Sequence, residues 1–158
     1  MGHLTYWYGA DPAWRLPFER EAKRYYGRSV TVELHPETLL YRHRGLDIRG
    51  RTEPVPVTIR FDAKPCCPTY GLRPEDYPHV FADAELPSPH RMPDHSLCLF
   101  YPGDPVERRW ISADGLLSLF HLSGDHIFKE TYWRRTGGSH RGIWLGEQAP
   151  HGYKGKAS

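Results

Sequence analysis

The sequence predicts an α+β domain with an N-terminal helix, an antiparallel sheet of about four strands, a proline-rich segment and a long C-terminal helix. Three observations predict it. Apolar residues recur at helical spacing near the N-terminus, short strand-like stretches follow, and a longer helical pattern comes after residue 110. With 158 residues, the chain is long enough to bury a core. We expect one domain over residues 1–158, with its core over about 12–135 and a tail over 136–158.

The first helix is predicted over about residues 12–26. Asp11 can cap its N-terminus, Pro12 suits the first helical position, and Gly27 is a typical residue after the last turn. Strands are predicted in the stretches SVTVEL, TLLYRHRG, PVTIRF and HVFADA, which are short and rich in β-branched or aromatic residues. The polar turn LDIRGRTEP joins the second strand to the third, which favours antiparallel pairing of these two strands.

A proline-rich segment and a second helix complete the predicted layout. Seven prolines within residues 62–96 exclude a long helix or a central strand there, and the aromatic content favours an ordered, meandering path. The second helix is expected after Trp110, with Ser112 as its cap and an end at the Gly137-Gly138 pair.

Composition and charge exclude several classes of protein. The formal net charge is only +2, without a long block of Lys or Arg, so we expect no nucleic-acid partner. No apolar run approaches the roughly 20 residues of a membrane span, and the N-terminus does not resemble a signal peptide. Three cysteines, an odd number, argue against a secreted disulfide framework. A cytoplasmic protein without a membrane partner is therefore expected.

Cys98 is the first candidate for chemistry. It lies in the stretch HSLCLF, directly before a Pro-Gly loop that Trp110 closes. A cysteine in an apolar run is commonly a core residue, because its side chain is small and hydrophobic. It can also be a nucleophile on a loop, and the nearby His90 and His95 can provide the polar surroundings that a reactive thiol needs.

Cys66 and Cys67 are the second candidate, because adjacent cysteines between two prolines are unusual. They can serve packing or form a vicinal disulfide, and Cys66 can bind zinc together with Cys98 and a histidine, although no typical zinc-ligand spacing is present. The sequence has no phosphate-binding P-loop, no dinucleotide-binding glycine motif and no serine nucleophile elbow. We therefore predict neither a metal nor another cofactor.

The order of these motifs resembles the catalytic part of ubiquitin-conjugating enzymes, over about residues 12–135. Tyr77-Pro78, the cysteine stretch HSLCLF, Trp110 and the long following helix correspond to elements of that family. More narrowly, the run CLFYP and the closing GIWLGEQAPHG resemble the stand-alone bacterial members encoded in short type II CBASS antiphage operons.

The resemblance implies a transferase that uses Cys98. The cysteine would carry the C-terminal carboxyl of a protein as a thioester and pass it to an amine, usually a lysine of a target protein. The implied acyl donor is the C-terminus of a cGAS/DncV-like nucleotidyltransferase, and the step itself needs no metal or nucleotide. The partner's tail would lie in a groove that presents four aromatic side chains, Tyr77, Phe100, Tyr101 and Trp110.

One departure from the family concerns the group that stabilises the oxyanion. The family's His-Pro-Asn motif is absent, and His90 occupies the position of its asparagine, eight residues before the cysteine. His90 is therefore the implied donor, with His95 as its rival. Two other hypotheses stay open: a catalytically inactive scaffold of the same fold that binds proteins, and a cysteine hydrolase with a Cys-His pair.

Overall fold

A four-stranded antiparallel sheet lies at the centre of the protein, with helices packed on it. The computed structural model describes residues 7–146. The elements, in chain order, are α1 (Pro12–Tyr26), β1 (Val30–Leu34), β2 (Thr38–Leu46), β3 (Val55–Asp62), β4 (His79–Phe81), α2 (Gly115–Arg135) and α3 (Gly138–Arg141). The strands pair in the order β1-β2-β3-β4, and α2 packs against α1. The predicted α+β layout is confirmed.

The bounds of α1 agree with the sequence prediction. The Asp11 carboxylate accepts a hydrogen bond from the backbone N–H of Ala13 at 2.9 Å, and Pro12 takes the first helical position. The helix ends at Gly27, whose φ of 57° lies in the left-handed region that favours glycine.

The core lies between the sheet and the two long helices. Tyr41 on β2 and Phe61 on β3 are fully buried and meet Phe18 of α1, with Phe61 and Phe18 packed edge to face. The Tyr41 hydroxyl donates to the buried carboxylate of Glu19 at 2.7 Å. Arg15 and Lys23 pair with the same carboxylate, each at 2.8 Å, so the buried negative charge is compensated.

The start of α2 differs from the prediction. Residues Ser112–Asp114 form a 3-10 turn and the α-helix begins at Gly115, so Ser112 is not its cap. The Asp114 carboxylate accepts from the N–H of Ile111 at 3.0 Å, while the Ser112 N–H donates to Asp76 at 2.8 Å. The buried Asp76 carboxylate therefore ties this turn to the proline-rich segment. Among residues 7–146, no helix has both the length and the apolar character needed to span a membrane.

Candidate functional site

The backbone around Cys98 is fixed by three segments of the chain. Leu97 donates its N–H to the carbonyl of Val80 on β4 at 2.8 Å, and it forms a β-bridge with Arg91. The Cys98 N–H donates to the His90 carbonyl at 3.3 Å. The end of the proline-rich segment is thereby tied to the sheet, and Cys98 follows it at a defined place.

The Cys98 side chain lies in a narrow crevice beside β4. The crevice is lined by Tyr77, Pro78, His79, Met92, Ser96, Leu97, Cys98, Leu99, Phe100 and Pro102. Its volume is only about 20 Å³, and Cys98 is 8% exposed. This space holds about one water molecule. An acyl group can therefore reach Sγ only after the rim of the crevice moves.

Burial raises the pKa of the Cys98 thiol to about 11. Desolvation disfavours the thiolate, and this is the cause of the shift. The thiol is therefore protonated at neutral pH, unlike the preformed thiolate of a cysteine beside a positive charge.

The raised pKa predicts slow alkylation of Cys98 at neutral pH. We expect its reaction with iodoacetamide to accelerate about tenfold per pH unit between roughly pH 7 and pH 10, because only the thiolate reacts. Mass spectrometry of the Cys98 peptide measures this rate, and the exposed thiol of Cys66 confirms that the reagent is active. A flat rate over this range would contradict a raised pKa.

The two histidines predicted to act at Cys98 lie outside the crevice lining. The ring of His90 packs against Trp144, with the ring centroids 4.2 Å apart, and its carbonyl oxygen lies 3.1 Å from Nε2 of His126. His95 is exposed, with a φ of 69°, and its carbonyl accepts from Arg91 at 3.0 Å. A role for either imidazole at the thioester requires that the ring leave its present position.

His79 is the histidine that lines the crevice, and the sequence analysis did not single it out. It is 4% exposed, and its Nδ1 lies 2.8 Å from Oδ2 of Asp94. The other oxygen of Asp94 accepts from both the N–H and the hydroxyl of Ser96, at 3.0 and 2.6 Å. Fifteen residues separate His79 from Asp94 in sequence. The one feature of the sequence that could have indicated a role for His79 is its position directly after Tyr77-Pro78.

The predicted aromatic residues divide into two groups. Tyr77 and Phe100 line the Cys98 crevice, whereas Tyr101 lies outside that lining, with its ring beside Gly103. Trp110 is only 2% exposed and belongs to the core, where its indole N–H donates to the Gly115 carbonyl at 3.1 Å. Trp110 therefore offers little surface to a substrate.

The adjacent cysteines lie beside the other edge of His79. Cys66 is exposed and Cys67 is half-buried, and both have free thiols. The Sγ atom of Cys67 lies 3.8 Å from Nε2 of His79. Within residues 7–146, no group of three or more His, Cys, Asp or Glu side chains is arranged to hold a metal ion.

A buried ionic cluster connects this region to α2. Glu130 is 1% exposed and lies 2.8 Å from Arg91, 3.2 Å from His126 and 3.6 Å from Arg134. The sequence analysis did not include this cluster, because its members lie on separate segments. Since Arg91 also pairs with Leu97, the cluster holds the segment that leads to Cys98.

A cavity larger than the Cys98 crevice has none of the three cysteines in its lining. It has a volume of about 730 Å³ and is formed by the end of α1, the end of β2 and the middle of α2.

Comparisons of the chain with protein-family models, with curated proteins and with solved structures gave no match.

Proposed function

We propose that the protein is a ubiquitin-conjugating-enzyme-like transferase acting through Cys98 in bacterial antiphage defence. It takes the C-terminal carboxyl of another protein as a thioester and passes it to a lysine amine of a target protein. The observation that supports this function is the place of Cys98: a fixed backbone position in an apolar crevice, bordered by Tyr77 and by the loop that starts at Leu99.

The chemistry is an exchange of acyl groups at sulfur. Cys98 Sγ attacks the carbonyl of an activated acyl donor, the new S–C bond forms, and the donor's leaving group departs with the proton that the thiol loses. An amine then attacks the Cys98 thioester, an amide bond forms, and the thiol is released after loss of a proton from the amine. Atoms and charges balance without a redox partner.

The burial of Cys98 keeps its thiol protonated and shielded in the resting protein. The thiol has no charged neighbour that would hold it as a resting thiolate, and burial alone raises its pKa. The narrow crevice leaves little room for other molecules beside Sγ before a substrate docks. Under this proposal, the acyl donor and the amine gain access only when a substrate displaces the rim.

The proposed acyl donor is the C-terminal tail of a cGAS/DncV-like nucleotidyltransferase. An extended tail would lie between the proline-rich segment, residues 65–95, and the loop over residues 98–110. Tyr77 and Phe100 border the path to the thiol at this point. The carboxyl that Cys98 would take up belongs to the last residue of the partner. Removal of that residue therefore tests whether the natural C-terminus is needed.

The test mixes the protein with this nucleotidyltransferase after its C-terminal carboxyl has been activated as a small-molecule thioester, either on the natural last residue or on a version that lacks this residue. Intact-mass spectrometry and non-reducing gels should show an adduct with the full-length partner only. Added thiol should remove the thioester and leave any isopeptide bond to lysine. If both partners behave alike and no bond to Cys98 or lysine forms, the scaffold hypothesis replaces the transferase.

Tyr77 is the residue that we expect to stabilise the oxyanion. Burial, with smaller effects of nearby Tyr70 and Cys67, raises its pKa, so the hydroxyl stays protonated and can donate. Tyr77→Phe should slow transfer by on the order of 10²-fold, the usual effect of removing one such donor. Single-turnover discharge of the thioester to free lysine measures it, with Tyr25→Phe as the control on an exposed tyrosine of α1. Equal discharge rates in both variants would exclude this role.

A further inference from the structure

A second thiol lies beside the His79 imidazole, on a different segment from Cys98. Cys67 Sγ is 3.8 Å from Nε2 of His79, and Nδ1 of His79 is 2.8 Å from Oδ2 of Asp94. A thiol, an imidazole and an orienting carboxylate in this order can perform nucleophilic acyl transfer. We propose that Cys67, His79 and Asp94, here called the thiol triad, form a second nucleophilic site that accepts an acyl group from a thioester.

Asp94 fixes the orientation of His79 in the thiol triad. Burial alone would raise the pKa of Asp94, but the hydrogen bonds from Ser96 and the proximity of His79 outweigh it and lower this pKa. The carboxylate is therefore ionised and accepts a hydrogen bond from Nδ1–H of His79. This leaves Nε2 of His79 as the basic nitrogen that faces Cys67.

The charges around Cys67 explain why it needs a base. Burial raises the pKa of its thiol, and Cys66 and Asp94 act in the same direction, while the Arg60 guanidinium opposes them. The thiol is therefore protonated at rest. His79 can accept this proton as the sulfur attacks, and such a base typically contributes 10²–10⁴-fold to rate.

Two further charged groups face the thiol triad. Asp62 lies 3.9 Å from Nε2 of His79, and it also pairs with Arg60 at 3.2 Å. The Asp62 carboxylate can stabilise the imidazolium that forms when His79 takes the proton. Arg60 offsets the added negative charge near the sulfur. Asp62 also raises the pKa of the Cys67 thiol, so the surroundings favour the imidazolium and only Arg60 favours the thiolate.

The proposed reaction balances as an exchange between thiols. The Cys67 proton passes to Nε2 of His79, and Sγ forms a bond to the acyl carbon. The C–S bond of the incoming thioester breaks, and His79 returns the proton to the departing thiolate. The products are an acylated Cys67 and a free thiol. This site does not depend on the proposed transfer at Cys98, and acylation of the two cysteines is measured on separate peptides.

The test compares the two adjacent cysteines on otherwise identical proteins. Cys66→Ala leaves Cys67 to report the thiol triad, and Cys67→Ala leaves the more exposed Cys66 as the reference. Keeping only one of the two adjacent thiols prevents migration of the acyl group between these neighbours. Each full-length variant is treated with the benzyl thioester of N-acetylglycine, and peptide mass spectrometry follows acylation at the retained thiol of the pair, with Cys98 measured on its own peptide.

We expect Cys67 to be acylated on the order of 10²-fold faster than Cys66, although Cys66 is more exposed. Asp94→Asn, added to each variant, should reduce the rate at Cys67 to that of Cys66 and leave the Cys66 rate unchanged. The amide can still accept from Ser96, but its NH2 group disfavours the required tautomer of His79. Equal rates at Cys66 and Cys67 would overturn the proposal even if the Asp94 variants failed to fold.

Discussion

Cys98→Ala is expected to abolish the covalent adduct between this protein and the tail of its nucleotidyltransferase partner. Cys98 is the one cysteine in the lining of the crevice, so its thiol is the group there that can form a thioester. The alanine variant has no thiol at this position. We expect a loss of more than 10³-fold, because removal of a nucleophile leaves only the slow background reaction. Intact-mass spectrometry of the mixed proteins measures the fraction of adduct.

The fold of the Cys98→Ala variant should be intact. The substitution removes one buried sulfur and introduces no larger side chain, so the free energy of unfolding should change by about 1 kcal/mol. A urea titration checks this point. Cys66→Ala is the matched control, because it removes an exposed thiol from the same protein and should leave the adduct in place. If Cys66→Ala abolished the adduct and Cys98→Ala did not, the nucleophile would be wrongly assigned.

Local signals in the sequence were sufficient to predict the fold. The cap at Asp11, the proline at position 12 and the glycine at 27 defined α1 to the residue. Short stretches rich in β-branched or aromatic residues located β1 to β4. The start of α2 was wrong because Asp114, rather than Ser112, makes the local side-chain contact to the backbone, and the first turn is 3-10.

The candidate site was less accessible to sequence analysis, because its contacts are long-range. The spacing of eight residues from Cys98 indicated His90, but the backbone directs that ring towards Trp144. His79 and Asp94 meet only because β4 places His79 beside the segment that precedes Ser96. No periodic pattern encodes a contact of this kind. The predictions for residues 147–158, including the Pro150-His151-Gly152 end, lie outside the described residues.

The Asp125-His126 pair shows the same limitation. Charged residues such as this adjacent pair on a helix are mostly exposed to solvent. Asp125 is exposed, but His126 is 6% exposed and contacts the His90 carbonyl and Glu130. Helical spacing placed both residues on α2, but it could not show that a loop from another part of the chain covers one of them.

Glu130→Gln should destabilise the protein by about 3–5 kcal/mol, the usual effect of removing one member of a buried ionic cluster. The substitution keeps the size of the side chain but leaves Arg91 and Arg134 without the carboxylate that compensates their buried charge. The urea midpoint, at constant slope, measures this loss. Glu21→Gln is the matched control, because Glu21 is exposed and pairs loosely with Arg24 at 3.7 Å. It should change stability by less than about 1 kcal/mol.

The effect of Glu130→Gln should depend on pH in a defined direction. Burial alone would raise the pKa of Glu130, but the hydrogen bond and charge of His126 and the charge of Arg91 outweigh it and lower the pKa. A carboxyl group with a lowered pKa in the folded state stabilises the fold above its unfolded pKa of about 4.5, and this contribution is lost as the pH falls through the folded pKa. The stability difference between the two proteins should therefore be largest near neutral pH and shrink in acid. Because Arg91 bridges to Leu97, next to Cys98, the same variant should also load the thioester more slowly at a given fraction folded. A difference in stability that stayed constant down to pH 3 would show that the Glu130 charge does not hold this segment.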